Sequence, residues 1–257
     1  MSGGLHACCT GEGGSALVLL HGLAGSHRAW AGVRERLGGV RILAYDLPGH
    51  GGSLDFPEAG PAAVAARAVL ADLDARAVER FHLAGHSFGG AVAALMALAA
   101  PQRVRSLALL APGGFGPHIN APLLERFIGA DNAAALRDSL CLMSGRRPAI
   151  DEGALREVLA MRAVPGQQAM LQRICGLIVR DGRQGVLPRD RLAALPVPVH
   201  VAWGLLDTVL PVAQARDLPA HFTAHLYPDL GHMLPEEAPQ DMAALLDLAI
   251  RQADGGH

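Results

Sequence analysis

A chain of 257 residues that is 51% hydrophobic and 18% charged has enough apolar side chains for the core of one large domain, which excludes a disordered polymer. Its net charge of −2 supplies no basic field, so neither nucleic acid nor an anionic membrane is expected as a partner. No apolar run reaches the roughly 20 residues that cross a bilayer, and MSGGLHACCTGEGG at the N-terminus has no basic-then-apolar leader, so a small-molecule partner and a cytoplasmic location are expected.

Taken in order, ALVLL (16–20), VRILAY (40–45), FHLAG (81–85) and VRSLALLA (104–111) are short runs ending near Gly, Pro, Asp or His. Both faces of each are apolar, which predicts buried strands. Helical patterns fall between them at about 27–38, 61–79 and 89–100, the last stopped by Pro101. Strand and helix in alternation predict an α/β fold, a mostly parallel sheet with helices on both faces. The rhythm breaks at APGGFGPHINAP (111–122), and from 117 to 190 only amphipathic helices are read: LLERFIGA, AAALRDSLCLM, ALREVLAMRAV and MLQRICGLIV. The expectation is a core formed by 1–116 and 191–257 with a helical cap inserted at 117–190. A strand returns at 197–204, a helix near 211–218, a strand at 221–229 and a closing helix at 237–252. Nothing in the pattern gives an oligomeric state.

The chemistry concentrates at Gly85-His86-Ser87-Phe88-Gly89, between a strand pattern and a helix pattern. Two glycines around a serine at that junction fit a turn that lifts the hydroxyl above the sheet, with the helix amides aimed at the same spot. A serine hydroxyl needs a base. Asp207, in VAWGLLDTVLP, and His232, in LYPDLGHMLPEE, each follow a strand, in the order Ser…Asp…His. The reading makes Ser87 the nucleophile, His232 the general acid and base, and Asp207 the carboxylate that orients the imidazole. Donors for a developing oxyanion are expected from the backbone N–H groups of Phe88 and of Leu23, in LLHGLAGSHRAW.

Five stretches, HG (21–22), DLPGHGGS (46–53), GHSFGG (85–90), WGLLDTVLP (203–211) and GHMLPEEAP (231–239), resemble the α/β-hydrolase superfamily over nearly the whole chain. The resemblance implies the same three roles for Ser87, His232 and Asp207. Within the superfamily, residues 82–120 are similar to the hydrolase-like domain of acetoin-dehydrogenase acetyltransferase components. Those proteins carry a lipoyl domain that this sequence lacks, so a free-standing serine hydrolase of a small ester, thioester or lactone is expected. One alternative is carbon–carbon hydrolysis of a ring-cleavage diketone. Relatives of that kind have a GPGA-like loop and an aromatic residue after the histidine, where this chain has GLAGSH and Met233. A non-catalytic binding protein on the same scaffold is another alternative.

Trp30, His118 and Met233 are candidate pocket residues, with Phe88 and Asn120 beside them, while His21, His50 and Asp46 read as loop stabilisers and His86 as a side chain pointing into the fold. No P-loop lysine or dinucleotide fingerprint is present, so no cofactor is expected. Cys8, Cys9, Cys141 and Cys175 show no metal-ligand spacing, and they read as reduced thiols without a metal.

Overall fold

A computed structural model describes residues 4–146 and 150–255. In chain order its elements are β1 (Ala7–Thr10), β2 (Ala16–Leu20), a 3-10 turn (His27–Trp30) leading into α1 (Ala31–Arg34), β3 (Arg41–Tyr45), α2 (Ala62–Ala75), β4 (Phe81–His86), α3 (Phe88–Ala99) and β5 (Val104–Leu110). Then come α4 (Ala121–Gly129), α5 (Ala133–Met143), α6 (Glu152–Arg162), α7 (Gln167–Ile178), β6 (Val179–Arg180), β7 (Arg183–Gln184) and α8 (Arg189–Ala193). The chain closes with β8 (Val199–Gly204), β9 (Phe222–Tyr227), α9 (Leu234–Glu237) and α10 (Pro239–Asp254). Among the described residues no helix is long and apolar enough to cross a membrane.

Seven strands form one sheet in the order β1-β3-β2-β4-β5-β8-β9. All neighbours are parallel except β1, which runs antiparallel to β3. Every residue of β2 and β4 is buried, as helices packed on a parallel sheet require. Each such Leu or Phe contributes roughly 1.5–3 kcal/mol by leaving water.

The topology decides where a site forms. From β2 the chain moves outward to β3, then crosses back to β4 on the other side of β2. The connections after β2 and β4 therefore diverge and open a crevice at the carboxyl ends of two adjacent strands. The pairing of Leu20 with Gly85 places His21–Leu23 beside His86–Ser87.

Several elements differ from the sequence reading. β1 escaped notice because it is a four-residue edge strand, half of it exposed, without apolar alternation. The helix read at 27–38 is one 3-10 turn and one α turn; Gly32, Gly38 and Gly39 weaken it further along. The helix near 211–218 is a 3-10 turn over Val212–Ala215. The end of the last helical stretch is the β6–β7 hairpin, whose two turn residues, Asp181 and Gly182, both have positive φ. An Asp-Gly pair favours that two-residue turn, and it was the available signal.

Between β5 and β8 the chain forms α4–α7 with side-chain N-caps at three of them. Asn120 accepts the Leu123 N–H, Asn132 the Ala135 N–H and Asp151 the Ala154 N–H. Buried Arg162 donates from Nη1 to the carbonyls of Phe127 and Ala130, which closes the C-terminus of α4.

Candidate active site

Ser87 joins β4 to α3 with φ 53° and ψ −116°, a backbone strained by about 1–3 kcal/mol for a residue with a Cβ. Hydrogen bonds hold it there. Its N–H donates to Leu110 at 2.9 Å, and its carbonyl accepts from Gly90 and Gly113, each at 2.9 Å. The flanking glycines are required by contact rather than by flexibility. A Cβ on Gly85 would strike the Gly89 carbonyl, and one on Gly89 would strike the carbonyls of Leu20 and His21.

His232 lies in the connection after β9, and its Nε2 is 2.9 Å from Ser87 Oγ. Its Nδ1 is 2.8 Å from Asp207 Oδ2. A carboxylate accepts only, so Nδ1 carries the proton and Nε2 presents its lone pair to the serine hydroxyl. Asp207, after β8, has a fully buried side chain. Its second oxygen, Oδ1, accepts the N–H groups of Val209 and Leu210, both at 2.8 Å. Those bonds fix the carboxylate plane without competing for the imidazole.

His232 is also held through its backbone. Its N–H donates to Met143 at 2.7 Å, and its carbonyl lies 2.7 Å from His86 Nε2. Burial, together with the nearby His232, pushes the His86 imidazole down to about 3. It stays neutral and donates from Nε2, so no second cation stands beside His232. His86 thus points into the fold as the sequence reading has it.

Two residues were missed. Glu237 turns its carboxylate back onto the loop bearing His232, accepting N–H groups from Gly231 at 3.0 Å, Met233 at 3.0 Å and Gly145 at 2.7 Å. In the sequence, LPEE reads as ordinary acids in a first helical turn, and nothing local announces that bridge. Glu236 lines the cleft itself, and its Oε2 is buried without a hydrogen-bond partner. Burial pushes its carboxyl up to about 8 from an ordinary 4.5, and the neighbouring Glu237 adds to the rise.

An acid with a raised folded pKa binds extra protons in the folded state, so its stabilising effect is complete below about 4.5 and lost as pH climbs through about 8. Glu236→Gln removes that dependence. The melting temperature of the Gln variant, measured against wild type from pH 5 to pH 9, is expected to rise relative to it up to about pH 8 and then level off. A constant difference contradicts the assignment.

Beside the serine lies a cavity of about 330 Å³ lined by Leu23, Phe88, Ala91, Leu124 and Ile178 among others. On the histidine side a cleft of about 30 Å³ meets Ser87, His232, Met233 and Glu236. No arginine lines either space among the described residues. Leu23 and Phe88 thus flank the hydroxyl, and among the described residues neither backbone N–H donates to a protein acceptor.

Other expected pocket residues lie elsewhere. Trp30 is fully buried in the hydrophobic core and lines neither space. His118 lines neither; its carbonyl accepts from Gln184 and Gln214. Asn120 is occupied as the α4 cap and as a donor to the Thr208 carbonyl. His21 accepts the Leu47 N–H at 3.0 Å, His50 lies beside the Pro48 carbonyl, and Asp46 accepts from His27 and Gly52.

A mostly parallel sheet with a serine raised at its topological switch point, reached by a histidine and a carboxylate from two later strand ends, is the architecture of an α/β hydrolase. The chain belongs to the alpha/beta hydrolase family, whose sequence model matches residues 17–245. It is 35% identical over 233 residues to the dihydrolipoyllysine-residue acetyltransferase component of the acetoin cleaving system of Pseudomonas putida, covering 90% of this chain and 62% of that protein. This is the resemblance read from residues 82–120, and the chain spans about three-fifths of that relative's length. It is also 34% identical over 267 aligned residues to a 2-hydroxy-6-oxo-6-phenylhexa-2,4-dienoate hydrolase of Comamonas testosteroni, covering 96% and 91% of the two. Among solved structures, a meta-cleavage product hydrolase from Pseudomonas fluorescens IP01 superposes with a TM-score of 0.82 at 19% identity, covering 96% of this chain and 94% of that one. That likeness shows the fold.

Proposed function

We propose that the protein is a serine hydrolase of a small, uncharged carboxylic ester, thioester or lactone, working through an acyl-enzyme. The observation that carries this reading is the continuous relay from Ser87 Oγ through His232 to Asp207, at 2.9 and 2.8 Å. His232 Nε2 takes the hydroxyl proton as Oγ attacks the carbonyl carbon. The tetrahedral oxyanion is received by the Leu23 and Phe88 amides, the latter backed by the N-terminal end of α3. His232 then gives its proton to the leaving oxygen or sulfur. Water, deprotonated by the same nitrogen, releases the acid and restores Ser87. The helical stretch 117–190 acts here as a cap, since Leu124 of α4 and Ile178 of α7 form part of the cavity wall.

Carbon–carbon hydrolysis is the second reading, favoured by the likeness to the Comamonas testosteroni hydrolase. That enzyme's named substrate is a dienoate, a carboxylate. Burying a carboxylate without a cation costs several kcal/mol, and among the described residues no arginine or lysine lines either space. The charge balance therefore favours a neutral substrate. Parallel assays with p-nitrophenyl butyrate and a coloured 2-hydroxy-6-oxo dienoate separate the two. The ester is expected to give a kcat/KM at least tenfold higher; dienoate bleaching without ester turnover overturns the proposal.

A further inference from the structure

Away from the serine, at the carboxyl end of β3, His6, His27 and Asp46 gather from three chain segments. The Asp46 carboxylate is fixed first by backbone donors: Oδ1 accepts the His27 N–H at 2.7 Å and Oδ2 the Gly52 N–H at 2.9 Å. Each oxygen then turns its remaining lone pair to an imidazole. His27 Nδ1 lies 2.8 Å from Oδ1, and His6 Nδ1 lies 2.9 Å from Oδ2. The two rings are 4.9 Å apart between centroids, and one ligand atom from each of the three residues lies within 4.8 Å of the others.

The backbone is arranged around this cluster. The His6 N–H donates to Ser53 Oγ and its carbonyl accepts the Asp46 N–H, both at 2.9 Å. A Cβ on Gly51 would come within 2.7 Å of Asp46 Oδ2, and one on Gly52 within 2.7 Å of the His6 ring, so the two glycines keep the space clear. Asp46 is buried, while the His6 side chain is 45% exposed, leaving a solvent-facing side.

We propose that His6, His27 and Asp46 form a binding site for a divalent transition-metal cation of the zinc class, with water completing its coordination. Two imidazoles and a carboxylate are the donor set that zinc, cobalt and nickel accept. Metal–ligand bonds of about 2.0–2.1 Å set tetrahedral ligands about 3.3 Å apart, so the imidazole–carboxylate contacts at 2.8 and 2.9 Å open by about 0.4–0.5 Å, while ligand atoms spread over up to 4.8 Å draw together toward that spacing. Each neutral imidazole keeps one proton, moved to Nε2, when Nδ1 takes the metal. Asp46 is pinned by its two backbone donors, as an outer shell pins a metal ligand. The ion would fasten the segment before β1 to the β2–α1 connection, the same connection that carries Leu23. Sequence spacing could not disclose the site, since residues 6, 27 and 46 match no ligand motif.

The test is metal uptake by the metal-stripped protein in a Cys9→Ser, Cys141→Ser background, which removes the two exposed thiols. One equivalent of Zn2+ by equilibrium dialysis is expected, with visible d–d bands when Co2+ replaces it. His27→Ala and His6→Ala are each expected to weaken binding by more than about tenfold. Zn2+ at a hundred times the parent's Kd should raise the melting temperature of the parent by about 5–10 °C, and that of each variant by no more than about half as much. His6 is at the surface, so its variant reports on binding even if His27→Ala fails to fold. No uptake by the parent, or equal uptake by parent and His6→Ala, overturns the proposal and leaves a hydrogen-bonded brace only.

Discussion

Replacing Ser87 with alanine is expected to lower kcat for an activated ester by about 10⁴–10⁶-fold, with the melting temperature within a few degrees of wild type. Among the described residues the hydroxyl makes one side-chain hydrogen bond, with His232 Nε2, whereas the strained turn is held by backbone hydrogen bonds to Leu110, Gly90 and Gly113 that alanine keeps. Alanine also carries a Cβ, so the strain at φ 53° is unchanged. What disappears is the atom that forms the acyl bond. Residual turnover would come from the Leu23 and Phe88 amides polarising the carbonyl for direct attack by water. Steady-state kinetics beside a thermal melt check this, and a loss of less than tenfold in a folded variant contradicts it.

Asp207→Asn is expected to cost about 10⁴-fold in kcat, again with little change in fold. The amide oxygen of asparagine can still accept the Val209 and Leu210 N–H groups, which bond Oδ1 at 2.8 Å. The amide NH2 then occupies the place of Oδ2, 2.8 Å from His232 Nδ1. Two donors cannot face one another, so the imidazole moves its proton to Nε2. A protonated Nε2 presents a donor to Ser87 Oγ and cannot remove its proton. Loss of charge adds to this, because the imidazolium formed during attack no longer has a buried carboxylate beside it. Kinetics of the purified variant, with its fold checked by circular dichroism, test the point; activity within threefold of wild type would show that the carboxylate does not orient the base.

Legibility in the sequence tracked how local the cause was. The serine turn was readable because glycines at 85 and 89 answer steric demands within a few residues. Asp207 and His232 were readable because each follows a strand with strong apolar patterning, and a parallel sheet brings such ends to one edge. Glu237 was not, since its acceptance of the Gly145 N–H spans 92 residues and depends on how α5 ends. The place of Trp30 was not legible for a related reason: a helical pattern near 27 gives no measure of which side of the sheet a large ring fills. β1 stayed hidden because an edge strand pairs on one side only and needs no alternating pattern. Cavity shape and the uncharged lining were beyond reach of any one segment, because they arise where Ser87, α3, α4 and α7 converge.

The most direct measurement is covalent labelling by a fluorophosphonate followed by peptide mass spectrometry. One phosphonyl adduct is expected, on the peptide carrying Ser87, formed at least a hundredfold more slowly when His232 is replaced by alanine. A folded wild-type protein that takes up no label, or takes it up on another residue, would contradict it.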